Sequence, residues 1–115
     1  MSYKNNFIAG ITELLVLAIL DQRDSYVYEI TKNIAGDSEG LLSISLNTIY
    51  TVAYKLEEEN MISEYPKLVG KKRTRVYYHL EPRGKEHLER ISADYSKMTE
   101  GVKKVLNSLG GNTND

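Results

Sequence analysis

Leu88, Ile91, Tyr95, Met98, Val102, Val105 and Leu109 recur at alternating spacings of three and four residues. That is the seam of a heptad helix, whose apolar residues fall at two positions in every seven. From Gly84 to Leu109 such a helix is about 40 Å long at the usual rise, longer than a core of roughly 75 preceding residues can cover. The spacing therefore predicts a second copy of the chain against the seam. Pro82 suits the first turn of this helix, where its missing N–H would be unpaired in any case. Tyr95 is the odd member, an aromatic whose hydroxyl needs a partner or water if it is buried. GGNTND, at the C-terminal end, reads as a frayed tail.

The 115 residues, 41% of them apolar, suffice for one domain with a modest core. Cysteine is absent, which excludes disulfides, thiolate nucleophiles and cysteine-ligated zinc. The N-terminal residues lack the apolar stretch of a secretory signal, and the longest apolar run, Leu14 to Leu20, is too short to span a bilayer. No membrane association and a cytoplasmic location are the expectations.

Ile8, Ile11, Leu15 and Ala18 keep helical spacing, and Leu14, Leu17 and Ile19 make the last turns of this first helix apolar nearly all round. Such a helix is buried on more than one side. In DQRDS, Asp24 or Ser25 is a candidate N-cap for a second helix with Tyr26, Ile30 and Ile34 as its inner row and Gly36 as a left-handed stop. Ser43 or Ser45 would cap a third helix, lined inside by Ile49, Val52, Ala53 and Leu56 with Leu46 at the edge. Its outer face carries Asn47, Thr48, Thr51, Tyr54 and Lys55. Two strands then follow, Ile62 to Val69 and Arg75 to Leu80, joined as a hairpin in which Pro66 demands an edge position.

Helix, helix, helix, strand, strand is the order of a helix-turn-helix with an appended wing, an α+β fold that is mainly α. In such proteins the second helix of the motif enters the DNA major groove and its N-terminal residues meet base edges. Here that helix opens with Asn47, Thr48 and Thr51, while Glu57, Glu58 and Glu59 sit at its far end as a solvated terminus. Although the net charge is −1, Lys71, Lys72, Arg73 and Arg75 concentrate positive charge at the hairpin tip, where a phosphate backbone would lie. His79 and His87 are read as surface residues, with no cluster to complete a metal site and no catalytic constellation anywhere. No cofactor is implied, and an enzyme is not expected. The competing reading is a winged-helix module that binds another protein and not DNA.

LLVLAIL, SYVYEI, LSISLNTIYTVAYKLEEENMI and GKKRTRVYYHLEPRG, taken in order and spacing over Leu14 to Gly84, resemble the PadR family of transcriptional regulators. The likeness is greatest to its short-tailed members, among them multidrug-responsive repressors. The resemblance implies a winged-helix DNA-binding domain over 1–81, a C-terminal dimerisation helix over 82–109, a disordered tail over 110–115, and repression from a pseudo-palindromic operator bound as a homodimer. It assigns DNA binding to Asn47, Thr48, Tyr50, Thr51, Lys55, Lys71, Lys72, Arg73 and Arg75. It also places Tyr95 where multidrug-binding members have a tryptophan that stacks planar compounds, with Leu14, Leu17 and Ala18 on the opposing first helix. A planar aromatic effector is the corresponding partner expectation. Val27 replaces a common glycine, and Glu81-Pro82 replaces a usual threonine cap.

Overall fold

The all-round apolar helix lies at the centre of the molecule because the other helices need it on different sides. A computed structural model describes residues 3–110, in the order α1 (Tyr3–Gln22), α2 (Val27–Asp37), α3 (Leu46–Glu58), β1 (Ile62–Val69), β2 (Arg73–Leu80) and α4 (Pro82–Gly110). α2 and α3 pack on α1 and on each other, and α4 packs on α1 from another side. Val16, Leu17 and Leu20 from α1 join Ile30 and Ile34 of α2, Ile49, Ala53 and Leu56 of α3, and Ile62, Tyr78 and Leu88 in one buried cluster. Thr12 is also wholly buried, and it satisfies its hydroxyl locally by donating to the Ile8 carbonyl at 2.7 Å. No helix among the described residues is long and apolar enough to cross a membrane.

Local chemistry sets most element ends. Ser45 caps α3, its hydroxyl accepting from the Thr48 N–H at 3.2 Å, which resolves the choice between Ser43 and Ser45. Asn60 closes the same helix in the left-handed region at φ 61°, a conformation that asparagine tolerates well. α2 departs from expectation at both ends. Its N-cap is Tyr26, which makes no side-chain cap. Asp24 instead accepts bonds from the wing, and the Ser25 hydroxyl donates to the Arg23 carbonyl. The inner row is accordingly Val27, Ile30 and Ile34, with Tyr26 outside it. Gly36 remains helical, and the left-handed residues come later, at Glu39 and Gly40.

β1 and β2 form a two-stranded antiparallel hairpin with Tyr65 opposite Tyr77 and Pro66 opposite Val76, both strands being edges as proline requires. β2 starts at Arg73, two residues before the expected Arg75, and Gly70 at φ 70° makes the turn. Ser25 exchanges backbone hydrogen bonds with Tyr78, at 2.8 and 3.2 Å, and so ties the α1–α2 connection to the wing.

α4 begins at Pro82, as the proline predicts, and runs 29 residues. Its start is pressed against the connection between α3 and β1 and the end of β2: a Cβ added at Gly84 would lie 2.1 Å from the Met61 carbonyl oxygen and 2.8 Å from Leu80 Cδ1. Because the first obstacle is backbone, Gly84→Ala is expected to shift α4 and destabilise the fold by about 1–3 kcal/mol. Thermal denaturation checks this, with an expected fall in Tm of at least about 4 °C for a chain of this size. The frayed tail expected from residue 110 lies, beyond Gly110 itself, outside the described residues.

Candidate nucleic-acid interface

Once α3 buries Ile49, Ala53 and Leu56, its 3.6-residue period turns Asn47, Tyr50, Thr51, Tyr54 and Lys55 outward, with Thr48 half-buried. These side chains differ in what they have left to offer. The Thr48 hydroxyl is 3.0 Å from Ser45 Oγ within the cap, and the Thr51 hydroxyl donates to the Asn47 carbonyl at 2.9 Å, keeping lone pairs for an incoming donor. The Asn47 side chain makes no bond among the described residues and retains both donors and its acceptor. Tyr50 and Tyr54, one helical turn apart, are both more than half exposed.

The four wing cations divide into two sets. Lys71, Lys72 and Arg73 are exposed and form no ion pair among the described residues. Arg75 is instead half-buried, its guanidinium 4.3 Å from the centre of the Tyr26 ring. Tyr26 meets Tyr77 edge-on at 5.4 Å, Tyr77 stacks on Tyr65 at 5.9 Å, and Lys67 lies 4.8 Å from the Tyr77 ring centre. Sequence reasoning did not single out Tyr26, Tyr65, Tyr77 or Lys67 for this role. The alternation of odd positions 65, 67, 75 and 77 on one hairpin face is the signal that could have found three of them.

The base of the wing is anchored by Asp24. Its carboxylate accepts from the Tyr65 hydroxyl at 2.6 Å and lies 2.8 Å from His79 Nδ1. Burial would raise this carboxyl, but the bonds from Tyr65 and His79, with the nearby charges of His79 and Lys67, outweigh it and hold Asp24 below its ordinary value of 3.8. Reciprocally, the bond to Asp24 pushes the Tyr65 phenol up to about 12. A carboxyl depressed in the folded state contributes stability above its unfolded pKa and loses it as pH falls through the lower folded value. Asp24→Asn is therefore expected to lower the melting temperature at neutral pH. The gap from wild type should close on acidification below about pH 4, as melting curves across that range would record.

Two acidic and basic groups differ from their sequence reading. Glu57 is half-buried, not a solvated helix end, and burial with a hydrogen bond to Glu64 pushes its carboxyl up. His87 is not a surface residue: its ring is 17% exposed and lies between Glu13 Oε2, at 2.5 Å, and Arg90. Glu13 also accepts from Lys55 Nζ at 3.3 Å, so Lys55 stands outward but is already paired.

The heptad seam is open along most of its length. Leu88 is buried and Ile91 half-buried against the core, whereas Tyr95 is 40% exposed and Met98, Val102, Val105 and Leu109 are each more than half exposed. Leu106 widens the stripe, a residue the strict heptad reading omitted. Between this stripe and the N-terminal half of α1 runs a groove of about 940 Å³, where Leu14 meets Ile91, Tyr95, Met98 and Val102. Of the residues expected to accompany Tyr95, only Leu14 lines it. Leu17 has no exposed surface, and Ala18 borders a separate hollow with Leu15, Ile19 and Ile34. A ligand cannot be received by a side chain that the chain's own core encloses.

This architecture recurs among solved structures. A transcriptional regulator from Clostridium thermocellum is 28% identical and superposes with a TM-score of 0.79 over 90% of this chain and 96% of that one. A PadR family transcription regulator from Clostridium difficile is 27% identical, with a TM-score of 0.68 over 88% of this chain and 99% of that one. Bacillus subtilis PadR in complex with operator DNA shares the fold, with a TM-score of 0.64 at 24% identity over 70% of this chain and 46% of that one. Residues 16–90, from the middle of α1 to the first turns of α4, match the profile of the transcriptional regulator PadR-like family, and the chain belongs to that family.

Proposed function

We propose that the protein is a sequence-specific DNA-binding regulator that works as a homodimer, and that it represses transcription by occupying a pseudo-palindromic operator. The observation that carries this reading is the pairing, in one small fold, of an exposed Asn47 at the capped start of α3 with three cations at the hairpin tip, all four side chains without a bond or ion pair among the described residues. Asparagine can bind adenine bidentately in the major groove, while lysine and arginine at a wing neutralise phosphates without reading sequence. Asn47, Thr48, Tyr50 and Thr51 are assigned to base and adjacent backbone contacts, and Lys71, Lys72 and Arg73 to phosphates. Arg75, held on the Tyr26 ring, braces the wing. A PadR-fold protein in complex with operator DNA is in keeping with this assignment.

The division of labour follows the elements: residues 1–81 bind DNA, and the α4 segment 82–109 dimerises. The exposed stripe from Tyr95 to Leu109 supports dimerisation, because a helix with so continuous an apolar face rarely stands alone in water. Two α3 helices in a symmetric dimer then meet half-sites about one DNA turn apart. The groove beside Tyr95 suits a planar aromatic effector, which would release DNA if it prefers a subunit spacing that the operator does not accept.

Selection of duplexes from a random pool by the purified protein, followed by footprinting of the promoter beside its own gene, tests the central claim. The expected product is a pair of inverted half-sites. Recovery of unrelated sequences with equal affinity would leave the protein-binding module as the better reading.

A further inference from the structure

Among the described residues, Glu13 of α1 is a polar partner shared by α3 and α4, which pack chiefly on α1 and not on each other. Its Oε1 accepts from Lys55 on α3 at 3.3 Å, and its Oε2 is 2.5 Å from His87 Nε2 on α4. Arg90 Nη2 lies 3.1 Å from His87 Nδ1. A guanidinium has only donors, so Nδ1 must accept, the ring proton resides on Nε2, and His87 donates to Glu13. One line of bonds, Arg90 to His87 to Glu13 to Lys55, thus runs from α4 through α1 to α3.

The site is anionic at its centre and sheltered. The Glu13 side chain is 24% exposed and that of His87 17%, against 59% for Lys55. Burial would raise the Glu13 carboxyl, but the bonds from His87 and Lys55, with the charge of Lys55, hold it below its ordinary value. Lys55 belongs to the C-terminal half of α3, whereas a helix of this kind meets base edges with its N-terminal residues. Drawing Lys55 onto a phosphate would also remove one of the two partners of Glu13 beside the groove that Tyr95 shares.

We propose that Glu13 is a positioning residue that sets the angle of α3 relative to α4, and that Lys55 is its strut and not a phosphate contact. The proposal rests on the DNA-binding reading. A dimer that must place two helices in successive major grooves at one spacing needs a fixed angle between dimer axis and reading helix. Binding to random duplex imposes no such spacing. Loss of the strut is therefore felt on the specific site and not on random DNA.

The test uses the full chain, a duplex selected by the wild type from a random pool, and a random duplex of equal length. Lys55→Gln, Glu13→Gln and the double variant are compared, with sedimentation and melting curves confirming folded dimers. Each single substitution is expected to weaken binding to the selected duplex about three- to tenfold, with the double variant no weaker than the weaker single. Random-duplex affinity and the salt slope should stay unchanged for Lys55→Gln. In DNA-free protein, the ring nitrogen shifts of His87 should report the Nε2–H tautomer, which Arg90 on Nδ1 maintains in Glu13→Gln, while the Nε2–H proton shift should move upfield in that variant as a neutral amide replaces the carboxylate acceptor. Lys55→Gln is an exposed change that keeps the idea testable if Glu13→Gln folds poorly. Equal losses on both duplexes, with the salt slope of the dimer reduced by about two, one contact from each protomer, would make Lys55 a phosphate contact and overturn the strut alone. An unchanged His87 Nε2–H proton shift in Glu13→Gln would do the same. If the wild type selects no duplex, the DNA-binding reading falls and the strut with it.

Discussion

Val102→Glu is expected to convert a dimer into a monomer. The residue lies mid-seam, more than half exposed in the single chain and flanked one turn away by Met98 and Leu106, which are equally open. A carboxylate there costs a lone chain little, because water still reaches it. Pairing two copies along this stripe would instead enclose a charge from each protomer among apolar side chains. Desolvating an unpaired carboxylate costs several kcal/mol, and even about 3 kcal/mol weakens association more than a hundredfold. Sedimentation at micromolar concentration should show the shift, while circular dichroism keeps the signal of α1 to α3, whose core does not include Val102. A variant that still sediments as the wild-type dimer would mean that the α4 stripe is not the interface. A wild type that is already monomeric would remove the paired half-sites as well.

The second large effect is expected from the hairpin tip. Lys72→Glu with Arg73→Glu reverses two exposed charges per protomer at positions that bear on no packing in the fold. Each lost phosphate contact lowers the slope of log affinity against log salt by about 0.9, so a dimer losing four contacts should lose between three and four units. Affinity at low salt should fall by more than about a hundredfold, and by similar factors on selected and random duplexes. Asn47→Ala gives the opposite signature. It should cost about 1–3 kcal/mol on the selected duplex alone and leave the salt slope intact. Filter binding or fluorescence anisotropy over a salt series separates the two. Equal behaviour of both variants on both duplexes would argue that α3 does not read bases.

The order of elements was legible from the residues because each carries its own period. Ile49, Val52, Ala53 and Leu56 at helical spacing, and the seam from Leu88 to Leu109, required no knowledge of neighbours, nor did a serine cap at Ser43 or Ser45 or Pro82 at the start of α4. Less was legible where two local signals compete. Asp24 and Ser25 are good caps by residue type, yet the wing offers Asp24 a phenol and an imidazole, which together outbid one helix N–H. Gly36 can turn left-handed, but Ile34 and the continuing helix hold it until Glu39 and Gly40 take that conformation.

Spacing and residue type within single elements already specify a winged helix with an open apolar seam, a polar outer face on α3 and a charged hairpin tip. Which of those residues are free to act depends on contacts between distant segments. Glu13 and His87 stand 74 positions apart, Asp24 and His79 stand 55 apart, and Lys55 is claimed across 42. An all-round apolar α1 likewise gives no sign of which side chains its neighbours will enclose, so Leu14 and Leu17 are alike in sequence and opposite in fate. Pairing and burial depend on the approach of distant segments, and periodicity along one helix carries no record of it.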